Sequence, residues 1–539
     1  MSERHIEKSA WSPLQYHVFR SLWIAAVASN IGTWMHDVGA AWLMTSLAPS
    51  PIMVALVEAA TTLPMFMLAL PSGALADIID RRRLLLFTQG WMLTAAAGLG
   101  ILTFLGITTP WLLLLFTFLL GLGGAMNAPA WQAIVPELVT HKEIPAAVAL
   151  NSVGFNISRA VGPALGGLVV ASAGAYAAFL LNAVTFLGVL TVLYRWRRKP
   201  TESKLPTERL LGAMRAGIRY VRQSPGLRGV LARSGVFIFF ASALWALLPL
   251  VARQELGRGP AGYGTLLTFL GMGAVTGATV LPILRRRISI EMIASGATLV
   301  FALVLFAVAY VRVFSLVCAV VLFGGGAWLT LLSTLNTAVQ ASVPSWVRAR
   351  ALSVYLLVFF GGFSAGSTIW GAAATHLGIS TTFVIASVGL IVGFIATLRF
   401  PLIHFEGLDL SPTKRWPAPT VVGDVDYDEG PVLVTIEYRI DIIRSQDFAN
   451  TMGEIRALRL RDGAISWNLF KDTSDPGRYL ETFIVESWIE HLRQHERVTV
   501  ADRDLLDQAL AFHIGNKPPF VSHFIAERLP KHEKEEKEN

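Results

Sequence analysis

The sequence predicts an all-α membrane protein of twelve transmembrane helices in two six-helix, pseudo-symmetric bundles, followed by a cytoplasmic α+β domain. Three observations predict it. First, the 539 residues are 53% apolar and only 15% charged, with a mean hydropathy of +0.54, which is too apolar for an ordinary soluble chain. Second, landmarks recur at a fixed offset. Gly73 with Arg81, Arg82 and Arg83 returns as Gly277 with Arg285, Arg286 and Arg287, and Gly162, Gly167 and Gly174 return as Gly366, Gly371 and Gly378, each pair differing by 204. Third, the composition turns polar and proline-punctuated after Phe400, which marks a separate soluble unit.

A helix rising about 1.5 Å per residue needs about 20 apolar residues to cross a hydrocarbon core of about 30 Å. Runs of that kind are predicted at 18–46, 52–75, 84–105, 110–133, 144–172 and 175–196, then at 229–252, 262–284, 289–311, 314–341, 349–374 and 379–400. The first six form one bundle over 12–196, the last six a second over 229–401, and a basic connection, 197–228, joins them. Within it Leu210 to Val221, with Arg215, Arg219 and Arg222 on a polar face, reads either as a helix resting on anionic headgroups or as a solvated linker between bundles that rock. The first apolar run is too long for a signal-peptide core, so no cleaved leader is expected.

The net charge of +8 is spent on orientation rather than on nucleic acid. Basic clusters at Arg81–Arg83, Arg195–Lys199, Lys204–Arg233, Arg285–Arg287 and Arg348 with Arg350 fall in alternate loops. The intervening loops, around Pro49, Thr109, Gly174, Gly259, Arg312 and Gly378, carry few charges. That asymmetry places both termini and the central connection in the cytoplasm. The sole cysteine, Cys318, lies within a predicted span, so no intramolecular disulfide is possible.

Pro412, Pro417 and Pro419, then Asp424, Asp426, Asp428 and Glu429, make 402–429 a linker. Residues 430–528 read as a strand (Pro431–Ile440), a helix (Gln446–Leu460), two strands (Ala464–Lys471, Tyr479–Glu486), helices (Trp488–Arg497, Asp502–Phe512) and a last strand (Phe520–Glu527). That βαββαβ order is the ferredoxin-like arrangement. The charged tail 529–539 reads as disordered. His491 and His495 share a helix face and could ligate a metal, but no third ligand at suggestive spacing accompanies them, so a solvated face is expected and no metal or cofactor is assigned.

Ionisable residues within the bilayer are costly and are candidates for function by default. Asp37 in the first span, Glu58 in the second and Arg159 in the fifth reach similar depth by helix rise. Asn30, Trp34 and Asp37 share one helix face, whereas His36 points about 100° away. Asp37 and Glu58 are candidate protonatable groups and Arg159 their modulator; the alternative is a static buried ion pair that fixes packing. Asn30, Trp34, Asn127, Gln132, Asn156, Asn336 and Gln340, polar or aromatic positions in apolar helices, are candidate lining of a substrate cavity.

Gly73, Leu75, Asp77, Arg81, Arg82 and Arg83 lie between the second and third spans, where a carboxylate at a helix C-terminus needs compensating arginine. The run resembles the loop motif of the major facilitator superfamily, G-x-L-x-D-R-x-G-R-R, with Ile78 and Asp80 replacing the usual arginine and glycine. In that family the acidic residue pairs with arginine and faces the eleventh helix, which implies a gating role for Gly73, Asp77 and Arg81–Arg83. The fifth span carries Ser158, Gly162, Pro163, Gly166 and Gly167, which is similar to the superfamily's fifth-helix motif G-x-x-x-G-P-x-x-G-G of proton-exchanging exporters, with Ser158 in place of the first glycine. Proline can kink that helix and glycine permits close approach, although small residues also serve plain packing. The repeat is asymmetric here: Leu281 stands opposite Asp77 and Ser367 opposite Pro163.

The resemblance extends over roughly 12–401 and looks most like the branch of bacterial enterobactin exporters and macrolide efflux proteins. It implies proton-coupled export of an amphipathic small molecule, siderophore or drug-like, by alternating access in the bacterial inner membrane, and the protein is not expected to be an enzyme. The segment 430–528 resembles antibiotic-biosynthesis monooxygenase-like domains, which often dimerise, so dimerisation through it is conceivable. A membrane-tethered enzyme and a ligand-sensing tail acting on a carrier are the competing classes.

Overall fold

A computed structural model of the chain describes residues 11–69, 71–72, 79–196, 217, 219–400, 402, 409, 411, 426 and 428–527. Gly73 and Asp77, the amphipathic stretch of the connection up to residue 216, most of 402–429 and the tail lie outside the described residues. The chain divides into two compact units. One comprises Met1–Leu210, Gly229–Ala338 and Ser353–Ile403; the other comprises Leu211–Arg228, Val339–Leu352 and His404–Asn539.

Twelve long helices are described in the first 400 residues. They are α1 (His17–Leu47), α2 (Pro51–Leu68), α3 (Arg81–Phe104), α4 (Pro110–Leu138), α5 (Ile144–Ala173) and α6 (Ala175–Arg195), then α7 (Pro225–Leu250), α8 (Pro260–Arg285), α9 (Ile290–Tyr310), α10 (Phe314–Ala341), α11 (Ser345–Leu377) and α12 (Ile379–Thr397). Eleven are long and apolar enough to cross a membrane. The remaining one, α1, has the length, but Arg20, Asn30, His36 and Asp37 lower its apolarity. The helix ends follow from local chemistry: Asp80 caps α3 by accepting from Arg83 N at 2.9 Å, while Thr109 and Ser289 cap α4 and α9. α7 runs into a π-helical turn, Val251–Glu255, before Gly257.

The duplication is visible in backbone and side chains alike. Gly174 and Gly378 each end one helix and cap the next with φ of +96° and +82° and ψ of 168° and 161°, a conformation essentially reserved for glycine. Arg81 donates to Ala133 O (3.2 Å) and pairs with Glu137 (2.8 Å) on α4; its counterpart Arg285 donates to Ser333 O and Thr337 Oγ1 on α10. Arg82 donates to Leu193 O and Tyr194 O, which leaves fewer orphan carbonyls at the C-terminus of α6.

Within the first bundle α1 packs on α5 and α6, α3 on α4 and α6, and α2 on α4; in the second, α9 packs on α12. The bundles meet through two pseudo-equivalent pairs, α5 with α8 and α11 with α2. A Cβ at Gly264 would come within 2.5 Å of Pro163 O, and one at Gly167 within 2.8 Å of Pro260 O, so the α5–α8 contact is backbone on backbone. Gly371, the counterpart of Gly167, lies against Ala55 and Ile52 of α2. We call the end at which α1 turns into α2 distal and the opposite end proximal. Among the described residues, hydrogen bonds join the bundles at the distal end: Ile52 N donates to Thr375 Oγ1 (3.2 Å), and Arg253 donates to Thr45 Oγ1 (2.8 Å) and Ser46 Oγ (2.7 Å).

The second unit is built on a four-stranded antiparallel sheet of order β2-β3-β1-β4, formed by β1 (Val432–Arg439), β2 (Ala464–Lys471), β3 (Arg478–Val485) and β4 (Phe520–Ile525). Helices α13 (Ser445–Asp462), α14 (Trp488–Arg497) and α15 (Val500–Leu510) complete the expected order. Strand residues alternate, so Val432, Val434, Ile436 and Tyr438 enter a core with Phe448, Met452, Ile455, Phe483 and Trp488. Fully buried Glu481 is held in that core by Arg459 Nε (3.0 Å), Trp467 Nε1 (3.0 Å) and Tyr438 Oη (3.1 Å). In the same unit the Tyr220 and Trp346 rings meet edge to face at 5.8 Å; Arg461 lies over Tyr220 and Arg497 over Trp346, at 5.6 and 4.5 Å.

Candidate functional site

A cavity of about 240 Å³ lies between the two bundles. The first bundle lines it with Trp34 and Asp37 from α1, Glu58, Thr61 and Thr62 from α2, and Phe155 and Arg159 from α5. Each set shares a helix face by its spacing of three or four residues. The second bundle lines it with Trp245 from α7, Tyr263 and Leu267 from α8, Trp328 from α10 and Phe359 and Phe363 from α11. One wall is therefore ionisable and the other aromatic.

Asp37, Glu58 and Arg159, which fall in three separate spans of the sequence, thus share one lining. Arg159 forms no ion pair with either carboxylate among the described residues; its guanidinium lies over the Trp245 ring at 5.9 Å and its Nε has no partner there. The static ion pair offered by the sequence is accordingly not the arrangement observed. Asp37, Glu58 and Tyr263 all line the same cavity. The Thr61 and Thr62 hydroxyls are engaged by their own helix, donating to Val57 O (3.0 Å) and Glu58 O (2.8 Å). The polar groups of the lining not engaged by their own helix are thus two carboxylates, a guanidinium and the Tyr263 hydroxyl.

The aromatic wall escaped the sequence reading. Trp328 anchors it, with ring centroids 5.6 Å from Phe237 and Trp245, 6.2 Å from Phe359 and 6.1 Å from Phe363. Such edge and tilted contacts lock large rings in place. The available signal was the i, i+4 pairing of Phe359 with Phe363 and the concentration of Phe in the second bundle.

Of the other polar candidates only Trp34 lines this cavity. Asn127 is consumed inside the first bundle, its Oδ1 accepting from Thr88 Oγ1 (3.1 Å) and Gln89 Nε2 (3.2 Å). Asn156 donates to Ser152 O one turn back, Gln132 and Gln340 are exposed, and Asn30 and Asn336 are half-buried away from the lining. His36 is buried against Phe179, ring centroids 4.5 Å apart. In the fifth-helix motif Gly162 and Gly166 receive α1, with a Cβ at Gly162 coming within 2.5 Å of Trp34 Cβ, while Gly167 receives α8. The motif thereby seats both Trp34 and the opposing bundle. Distal to the cavity, Trp42 and Tyr263 stack at 6.4 Å and Arg253 lies over Trp42 at 5.6 Å, beside its bonds to Thr45 and Ser46.

Comparison with known proteins agrees with this two-lobed carrier. The chain is 23% identical over 363 residues to the staphyloferrin A transporter of Staphylococcus aureus, covering 67% of this chain and 90% of that one. It is 23% identical over 393 residues to the multidrug efflux pump Tap of Mycolicibacterium fortuitum (70% and 95%) and 26% identical over 387 residues to the enterobactin exporter EntS of Salmonella typhimurium (69% and 90%). Among solved structures, a bacterial homolog of the human lysosomal transporter Spinster superposes with a TM-score of 0.59 at 14% identity, over 72% of this chain and 98% of that one. A bacterial homologue of the iron transporter ferroportin gives 0.55 at 15% identity (71% and 98%). These relatives are transporters and favour a carrier over a membrane-tethered enzyme. The family described as transmembrane secretion effector matches residues 8–531, and this chain belongs to that family of major facilitator transporters.

Proposed function

We propose that the protein exports an amphipathic, aromatic small molecule in exchange for protons, using the cavity between the bundles as an alternating-access site. The observation that carries this reading is the division of the lining: Asp37, Glu58 and Arg159 on one bundle face Trp245, Trp328, Phe359 and Phe363 on the other. An aromatic guest stacks on the second wall while its polar groups meet the first. Asp37 and Glu58 carry the protons, and Arg159, free of a static partner among the described residues, compensates whichever carboxylate is charged as the site changes access. The similar proteins named for staphyloferrin A, enterobactin and multiple drugs support a substrate of this kind.

The arginine-rich proximal loops belong in the cytoplasm, with both termini, in the bacterial inner membrane. The latched distal end then faces outward and the cavity serves the cytoplasmic side in the state described. The loop with Gly73, Asp77 and Arg81–Arg83 acts as the inner gate, and the α5 segment with Gly162, Pro163, Gly166 and Gly167 as the surface on which the bundles rock. In this reading the bundles are 12–196 and 229–401, the connections 197–228 and 402–429, and the soluble domain 430–528.

Reconstitution into proteoliposomes with an imposed pH gradient tests the coupling, with substrates first found by thermal stabilisation. Asp37→Asn and Glu58→Gln are each expected to remove the acceleration by the gradient while gradient-independent exchange persists. Intact gradient-driven flux in both variants sinks the proposal.

A further inference from the structure

We propose that His491, His495 and His523 form a binding site for a borderline divalent transition-metal cation, of which Zn²⁺ is the type, in the C-terminal domain. The sequence offers His491 and His495 one turn apart on α14 and shows no third partner. The fold supplies it: His523 comes from β4, at the far end of the domain's sequence, and one ring nitrogen from each of the three lies within 4.8 Å of the others. The Nε2 atoms of His491 and His495 are 3.2 Å apart. Two nitrogens each about 2.0–2.1 Å from a tetrahedral metal stand about 3.3–3.4 Å apart, so this pair already has nearly the spacing of two ligands on one ion.

The short His491–His495 contact is met either by one ring's N–H donating to the other's nitrogen or by a cation between them. A nitrogen of His523 lies within 4.8 Å of both and gives that point a third donor. Burial lowers the proton affinity of all three rings, to about 3 for His491 and about 4 for His495, which keeps the imidazoles in the neutral, ligating form. The Trp488 ring packs on His491 at 5.4 Å and on His523 at 6.0 Å and shapes one side of the site. Arg459, whose charge His491 and His495 feel, is paired with Glu481 at 3.0 Å and does not repel a second positive charge at full strength.

The donor set selects the metal. Three neutral imidazoles without a carboxylate or thiolate suit zinc, cobalt, nickel or copper, and they disfavour calcium and magnesium, which take oxygen ligands. Three protein ligands leave a fourth position open to water or a small ligand. His495 and His523 are only half-buried, so that position has access to solvent.

The test uses the full-length protein, purified in detergent without a polyhistidine tag, stripped with chelator and dialysed against Co²⁺ or Zn²⁺. The expected result is one metal per chain with the visible absorption of four- or five-coordinate cobalt. His523→Gln, at a half-buried edge-strand position, is expected to weaken retention at least about tenfold, while His141→Gln, elsewhere in the chain, leaves it unchanged. Thermal unfolding confirms that each variant is folded. Substoichiometric metal in the folded wild type, or an unchanged cobalt spectrum in folded His523→Gln, overturns the site.

Discussion

Arg159 and Glu481 show two fates of a charge placed away from water. Arg459, Trp467 and Tyr438 saturate Glu481 in the core of the soluble domain, so its ion pair is structural. Removing one member of a buried pair strands the other, and Glu481→Gln is expected to cost about 3 kcal/mol, read as a lower unfolding midpoint of the domain in the intact chain. Arg159 rests on an indole face with Nε unpartnered among the described residues, which suits a group that changes partner during a cycle. Sequence reasoning found Asp37, Glu58 and Arg159 because charge stands out in an apolar helix. The same logic sent Asn127 to the cavity and misplaced it, because an amide can be satisfied by Thr88 and Gln89 inside its own bundle. Trp328 and Phe363 were illegible for the opposite reason: an aromatic ring in an apolar span offers no contrast.

At the scale of elements, hydrophobic run length located all twelve helices, because crossing a bilayer fixes length more strictly than packing in water does. Only α1 falls short in apolarity, because it carries Arg20, Asn30, His36 and Asp37, of which Asp37 lines the cavity. The βαββαβ reading also held, since strand alternation and the Asp475–Gly477 turn are local signals. Pairing across distance was not local: nothing in the spacing of His491 and His495 announces a partner on β4. The α5–α8 contact is one that side chains cannot relax, because a Cβ at Gly264 meets the carbonyl of Pro163. Gly264→Ala is therefore expected to destabilise the described packing by about 1–3 kcal/mol, seen as a lower melting temperature in detergent, whereas exposed Gly378 neighbours such as Leu377 tolerate alanine.

For the whole molecule, the duplication supplies two pseudo-equivalent bundle contacts and the differences between copies supply the chemistry. The α5 motif keeps Pro163 where the second half has Ser367, and the ionisable wall belongs to the first half alone. Among the described residues Arg253, with bonds to Thr45 and Ser46, supplies the side-chain donor at the distal end, beside the Ile52 N to Thr375 bond. Arg253→Ala is expected to shift the population toward a distal-open state, read as longer distal and shorter proximal distances by pulsed electron paramagnetic resonance between labels on the two bundles. Unchanged distributions would assign closure to the glycine contacts instead.

The cavity has a capacity as well as a chemistry. At about 240 Å³ it falls below the roughly 300–1,000 Å³ that enclose drug-sized ligands. In the proposed cycle a guest of that size would have to part the aromatic wall from the carboxylates, so that cargo volume would itself act as a wedge between the bundles. Molecules small enough to sit inside without spreading the walls would then occupy the site and still fail to drive the cycle, so the carrier would select by bulk as much as by affinity.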